Sequence, residues 1–155
     1  MQMIKLRNGE ELSVFKLNSL IPELSVSNLE KSLDFYLKVL SFKLEYQRPK
    51  DKFAMISLDG SQIMLEEINE YWKTGELVHP FGRGINFQLL VKNIDDIYKR
   101  VNTHQYSIKV EIEENWYRSG SKLLGQKEFL LIDPDGYLLR FAQNLGEKEY
   151  TGNME

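Results

Sequence analysis

The chain has 155 residues, long enough for one domain with a sizeable core. Its 42% hydrophobic and 28% charged residues are those of a folded globular protein, not a disordered one. Twenty Lys+Arg against 23 Asp+Glu give a net charge of −3, which offers no basic field for nucleic acid. There is no cysteine, so disulfides, thiol catalysis and thiolate metal sites are excluded together. No stretch approaches the ~18 apolar residues of a membrane span. The start, Met1-Gln2-Met3-Ile4-Lys5-Leu6-Arg7, carries no apolar signal region, so a cytoplasmic location is expected.

Residues 1–17 read as an N-terminal extension in which Arg7-Asn8-Gly9-Glu10 turns a small hairpin. The rest is written twice. Leu24-Ser25-Val26-Ser27-Asn28-Leu29 ends an apolar strand and opens a helix, and Leu89-Leu90-Val91-Lys92-Asn93-Ile94 does the same 65 residues later. Asn stands at both helix N-caps, and Ser27 with Glu30 also reads as a capping box. The first helix offers Leu29, Leu33, Tyr36 and Leu40 at helical spacing; the second offers Ile94, Ile97, Tyr98 and Val101.

Three strands follow each helix. The first set is Phe42 to Tyr46, Phe53 to Leu58 and Gln62 to Glu66, the last two joined by an Asp59-Gly60 turn. The second set is Ser107 to Ile112, Glu128 to Ile132 and Tyr137 to Ala142, the last two joined through Asp133-Pro134-Asp135-Gly136. The expected architecture is therefore α+β: two tandem βαβββ modules forming a cupped mixed sheet. The first module spans 18–67, a connector 68–83 and the second module 84–145, all one domain, with a C-terminal tail at 146–155.

The doubled unit closing in Asp133-Pro134-Asp135-Gly136-Tyr137-Leu138-Leu139-Arg140-Phe141 resembles the vicinal oxygen chelate superfamily. That group holds glyoxalase I, extradiol dioxygenases, fosfomycin-resistance transferases and bleomycin-resistance proteins. Val26-Ser27-Asn28-Leu29-Glu30-Lys31-Ser32-Leu33-Asp34-Phe35-Tyr36, Phe81-Gly82-Arg83-Gly84-Ile85-Asn86-Phe87 and Arg140-Phe141-Ala142-Gln143 add to the match, in order, over residues 18–145. The resemblance implies a glyoxalase/bleomycin resistance fold and four metal-ligand positions. In this chain those positions hold Ile21, Met64, Asn86 and Arg140. None suits a hard or borderline divalent cation, so neither a metal nor another cofactor is expected. His79 and His104 read as surface or loop residues.

Strand alternation puts Leu24 and Val26, and Phe87, Leu89 and Val91, in the core. Ile21, Glu23 and Ser25, then Met64 and Glu66, then Asn86, Gln88 and Leu90, and finally Leu138, Arg140 and Ala142, face the cup. The expected ligand-binding residues are Glu23, Met64, Glu66, Asn86, Gln88, Trp116, Tyr117 and Arg140, with none catalytic. Two alternatives stay open: Arg140 pairs with Glu23 or Glu66 and plugs the cup, and the aromatic residues of the Glu113–Gly125 loop cap the sheet instead of stacking a ligand. Trp72 reads as a structural ring of the connector.

Within the superfamily the branch implied is that of the bleomycin-resistance proteins. The function expected is a metal-independent, antibiotic-resistance type of binding protein, a homodimer sequestering a planar or amphipathic small molecule, cationic or aromatic, in its cleft. The alternatives are an enzyme of the superfamily (lyase-, isomerase- or dioxygenase-like) with a non-standard site, and a partner-binding protein with a filled cup.

Overall fold

The computed structural model describes the backbone of residues 2–5 and 11–14 and the whole of residues 15–152. Strands β1 (Gln2–Lys5) and β2 (Glu11–Val14) pair antiparallel, Gln2 opposite Val14 and Lys5 opposite Glu11. The turn expected at Arg7 to Glu10 lies outside the described residues.

The first module runs β3 (Glu23–Val26), α1 (Leu29–Leu33), a π-helical turn (Asp34–Val39), β4 (Lys43–Arg48), a 3-10 turn (Pro49–Asp51), β5 (Phe53–Leu58) and β6 (Ser61–Glu67). The second runs β7 (Asn86–Leu90), α2 (Ile94–Thr103), β8 (Ile108–Ser119), β9 (Lys122–Ile132) and β10 (Leu138–Glu149). Each module makes one four-stranded mixed sheet, β3-β6-β5-β4 and β7-β10-β9-β8. In each, the strand before the helix lies parallel to the module's last strand, and the other pairs are antiparallel. The expected doubling is therefore the architecture of the molecule. Among the described residues no helix is long and apolar enough to cross a membrane.

Local chemistry accounts for the elements. Asn28 and Asn93 cap the two helices, accepting from the Lys31 and Asp96 backbone N–H groups at 2.9 and 3.2 Å. Ser27 does not cap; its N–H is committed elsewhere. Asp59 and Gly60, with φ of 48° and 91°, turn β5 into β6 as a two-residue hairpin requires. The π-helical turn explains why adjacent Phe35 and Tyr36 both go inward, at 4% and 0% exposure. The wider spiral of i→i+5 bonding, seen as Leu40 N–H to Phe35 O at 3.2 Å, sets both rings on the core side.

The helix-facing sides of both sheets share one hydrophobic core. Leu24, Val26, Ile56 and Leu65 of the first module belong to the same cluster as Phe129, Leu131, Leu139 and Phe141 of the second. The Asp133–Tyr137 turn clasps the modules together. Asp135 accepts the Ser27 N–H on both carboxylate oxygens at 3.1 Å, and the Tyr137 hydroxyl donates to Ser25 O at 2.9 Å. The fully buried Tyr36 donates to Asp133 Oδ2 at 2.8 Å, while Asp133 Oδ1 takes the N–H groups of Asp135 and Tyr137. Burial raises the Asp133 carboxyl above its ordinary range and lifts the Tyr36 phenol well above its own.

Two expected boundaries differ. The Glu113–Gly125 segment is not a loop: β8 and β9 continue through it and turn at Gly120-Ser121. Likewise β10 continues to Glu149, pairing Glu147, Lys148 and Glu149 with Leu124, Leu123 and Lys122. The result is a three-stranded ribbon whose polar residues fall on both faces, so no hydrophobic alternation marks it in the sequence.

Candidate functional site

Because the two sheets share a core between them, their other faces point away from that core. Each carries part of the expected site.

On the first sheet Glu23 of β3 lies beside Met64 of β6, and Ser25 beside Glu66. Glu23, Met64 and Glu66 line a cavity of about 340 Å³ together with Tyr46, Arg48, Asp51, Phe53 and Trp72. The Arg48 guanidinium sits over the Phe53 ring, 3.8 Å from its centroid, and its Nε pairs with Asp51 at 3.1 Å. Glu23 and Glu66 both line this cavity, and a hydrogen bond between them requires one of the two carboxyls to hold a proton. Partial burial, then that hydrogen bond and the Glu66 charge, push the Glu23 carboxyl up to about 7, against the pull of Arg48.

On the second sheet Gln88 of β7 lies beside Arg140 of β10, and Asn86 beside Leu138. Arg140 donates through Nη2 to Gln88 Oε1 at 2.6 Å. The carboxylate it faces is neither Glu23 nor Glu66, the partners of the plugged-cup alternative, but Glu128 of β9, with Nε and Oε2 4.0 Å apart. Glu128 is only 3% exposed. Its Oε1 accepts from Asn115 Nδ2 at 2.9 Å and from the Tyr117 hydroxyl. Gln88, Tyr117, Leu124, Gln126 and Arg140 surround a cavity of about 270 Å³.

The expected Trp116–Tyr117 pair is separated. Both sit in β8, and neighbours on a strand face opposite ways. Tyr117 is on the Arg140 side. Trp116 lies on the helix side, packed over Gly125 and under Lys148, whose Nζ is 3.8 Å from the ring centroid. Gly125 is what admits the indole: a Cβ there would sit 2.6 Å from it. Asn86 and Gln88 also border a third, more apolar groove of about 400 Å³ with Leu20, Pro22, Gln62 and Phe87.

The expected site residues thus form two clusters within one chain, Glu23, Met64 and Glu66 on one sheet and Asn86, Gln88, Tyr117 and Arg140 on the other. Strand parity carried into β9 would have found Glu128, since Gln126, Glu128 and Leu130 alternate on the Arg140 side. The same parity reaches Phe53, which lies opposite Glu66, and Arg48 beside it; Trp72 had no such signal, because the path of the connector brings it to the first cavity.

The four metal-ligand positions, Ile21, Met64, Asn86 and Arg140, offer an alkyl group, a thioether, a carboxamide and a guanidinium. The last is a permanent cation with no lone pair to give. These residues do not fit a divalent metal, and among the described residues no three His, Cys, Asp or Glu side chains gather as a metal site.

Residues 16–141 match the family described as the Glyoxalase/Bleomycin resistance protein/Dioxygenase superfamily. A bleomycin resistance protein of Geobacillus stearothermophilus is 25% identical over 138 residues, covering 81% of this chain and 96% of its own length. A lactoylglutathione lyase of Haemophilus influenzae is 28% identical over 136 residues, 84% of this chain and 95% of that one. The solved structure of a bleomycin resistance determinant encoded on transposon Tn5 shares the fold, with a TM-score of 0.56 at 16% identity over 83% of this chain and 99% of its own.

Proposed function

The chain belongs to the Glyoxalase/Bleomycin resistance protein/Dioxygenase superfamily, and we propose that within it this protein is a metal-independent binder of small molecules, of the bleomycin-resistance kind. One observation carries the reading: Arg140, at a ligand position, is tied to Gln88 and faces Glu128, which makes a polar, cation-bearing wall where a metal site would need a donor. The bleomycin-resistance relative lends support, since it matches along nearly its whole length.

The ligand is a planar or amphipathic compound, and the protein acts as a cytoplasmic homodimer. Each sheet of one chain presents an open half-site, and a second copy completes a cleft by bringing its own second sheet over the first sheet of its partner. Glu23, Met64 and Glu66 line one wall of this cleft and Asn86, Gln88, Tyr117 and Arg140 the other. Trp116 contributes only from the far face of the ribbon.

A second reading is favoured by the lactoylglutathione lyase relative, whose similarity is no lower. It makes the protein an enzyme with a non-standard site, Arg140 holding a substrate carboxylate or an oxyanion.

Titrating the intrinsic fluorescence with bleomycin and other flat cationic compounds tests the first reading. The only two tryptophans are Trp72 and Trp116, so the signal has two sources. Saturable quenching at micromolar ligand is expected, unchanged after chelation of metals and lost in Trp72→Phe, whose ring borders the first cavity. Trp116→Ala should keep it. A stoichiometric, tightly held metal in elemental analysis, or no quenching by any compound, would overturn the proposal.

A further inference from the structure

The second sheet carries an unclosed hydrogen-bonded row. From edge to edge it reads Gln88, Arg140, Glu128, then Asn115 and Tyr117. Every link is made but one. Glu128 Oε2 and Arg140 Nε face each other at 4.0 Å, both buried, and neither has a hydrogen-bond partner. Only one other buried side-chain atom among the described residues, Ser32 Oγ, is left in that condition. An unpaired carboxylate oxygen in a residue 3% exposed is costly, and so is an unpaired guanidinium N–H beside it.

The two atoms ask for opposite things. Oε2 accepts, and Nε donates. An anion satisfies Arg140 but is repelled by Glu128; a cation satisfies Glu128 but is repelled by Arg140. A water or a hydroxyl bridges both with a single atom, and a hydroxyl then gains little over the water it displaces. A primary carboxamide answers both with two adjacent atoms, its NH₂ donating to Oε2 and its carbonyl accepting from Nε. Hydrogen bonds of about 2.9 Å from a planar N–C–O group fit a gap of this width. The neighbouring Gln88 and Gln126 amides and the edges of Leu124 and Tyr117 then surround the rest of the group.

We propose that the gap between Glu128 and Arg140 is a subsite for an uncharged primary carboxamide on the ligand. It deepens the small-molecule reading above and rests on it. Tyr117, 45% exposed, stands at the entrance with its hydroxyl on Glu128. The amide N–H adds a donor at Glu128 Oε2, while the Tyr117 hydroxyl keeps its bond to Oε1. The subsite selects against charge, the reverse of the first sheet with its carboxyl pair.

Four probes of one shape separate the possibilities: benzamide, benzyl alcohol, benzamidinium and benzoate. Each is titrated into the ¹⁵N-labelled full chain while the Arg140 Nε–Hε resonance, assigned by its loss in Arg140→Lys, is followed. Benzamide is expected to shift it saturably, with a Kd at least fivefold below those of the other three, and Glu128→Gln should weaken benzamide at least tenfold. Equal or tighter binding of benzamidinium or benzoate would overturn the subsite, and equal binding of benzyl alcohol would overturn its assignment to a carboxamide. The wild-type ranking decides this even if Glu128→Gln does not fold. A resonance unmoved by all four shows that water or a side-chain rotation closes the gap. Trp72 quenching reports the first cavity separately, so ligand binding there with a silent Arg140 overturns this inference and leaves the proposed function standing.

Discussion

Tyr36 and Asp133 show how much of this molecule rests on single atoms. Tyr36 has no exposed surface, and its hydroxyl reaches across the modules to Asp133 Oδ2 at 2.8 Å. Tyr36→Phe keeps the ring and strands a carboxylate oxygen in the interior, at a cost of ~1–3 kcal/mol. For a chain of this size that lowers the thermal midpoint by roughly 2–4 °C per kcal/mol, measurable by circular dichroism. An unchanged midpoint would mean that another donor takes the place of the hydroxyl. Gly125 makes a second such point. In Gly125→Ala the new methyl lies 2.6 Å from the Trp116 indole, which must lift off the ribbon and lose Lys148. The expected result is a red-shifted, more quenchable emission with little change in midpoint; an unmoved spectrum would contradict the packing of Trp116 over Gly125.

Between elements, the β3–β6 pairing brings Glu23 and Glu66 to one face, and partial burial together with the neighbouring Glu66 raises the Glu23 carboxyl to about 7 from an ordinary 4.5. A carboxyl raised on folding is protonated more readily in the folded chain, so between those values the folded state binds more protons than the unfolded one. Stability therefore falls as pH climbs through that window, the penalty being absent below about 4.5 and complete above about 7. Glu23→Gln should raise the midpoint at pH 8 and leave it nearly unchanged at pH 4; an equal gain at both would show that the two carboxyls do not share a proton. The sequence announces these strands well, because Leu24 and Val26 alternate with Glu23, Ser25 and Ser27, Phe87 and Leu89 are separated by Gln88, and one face is dry. It does not announce the ribbon. Trp116 to Arg118 and Leu123 to Lys127 mix polar and apolar residues on both faces, and without a dry side the alternation that betrays a strand is missing.

At the scale of the whole molecule, the repeat at 65 residues makes the two modules and their parity legible, but not whether their ligand-facing sides meet. That depends on which sides share a core, and in this chain the helix sides do, which leaves the Glu23 and Arg140 faces apart. The repeat also predicts where a second copy docks. Leu20 and Ile85 are equivalent under it, each just ahead of the first strand of its module, and they are 86% and 57% exposed. Those strands, β3 and β7, are sheet edges with backbone groups open to pairing. Leu90, 53% exposed at the end of β7, adds an apolar side chain on the same edge strand. Solvent-facing aliphatic residues at matching places on two edges suit a two-fold contact, in which Leu20 of one copy meets Ile85 of the other and both cups close at once. Sedimentation should accordingly show a dimer, and Leu20→Glu with Ile85→Glu should dissociate it without altering the circular dichroism. Because each cleft then lacks one wall, ligand quenching should be lost along with the dimer. A wild-type chain that sediments as a monomer and still binds would mean that one sheet alone suffices, and that the second copy has no part in the site.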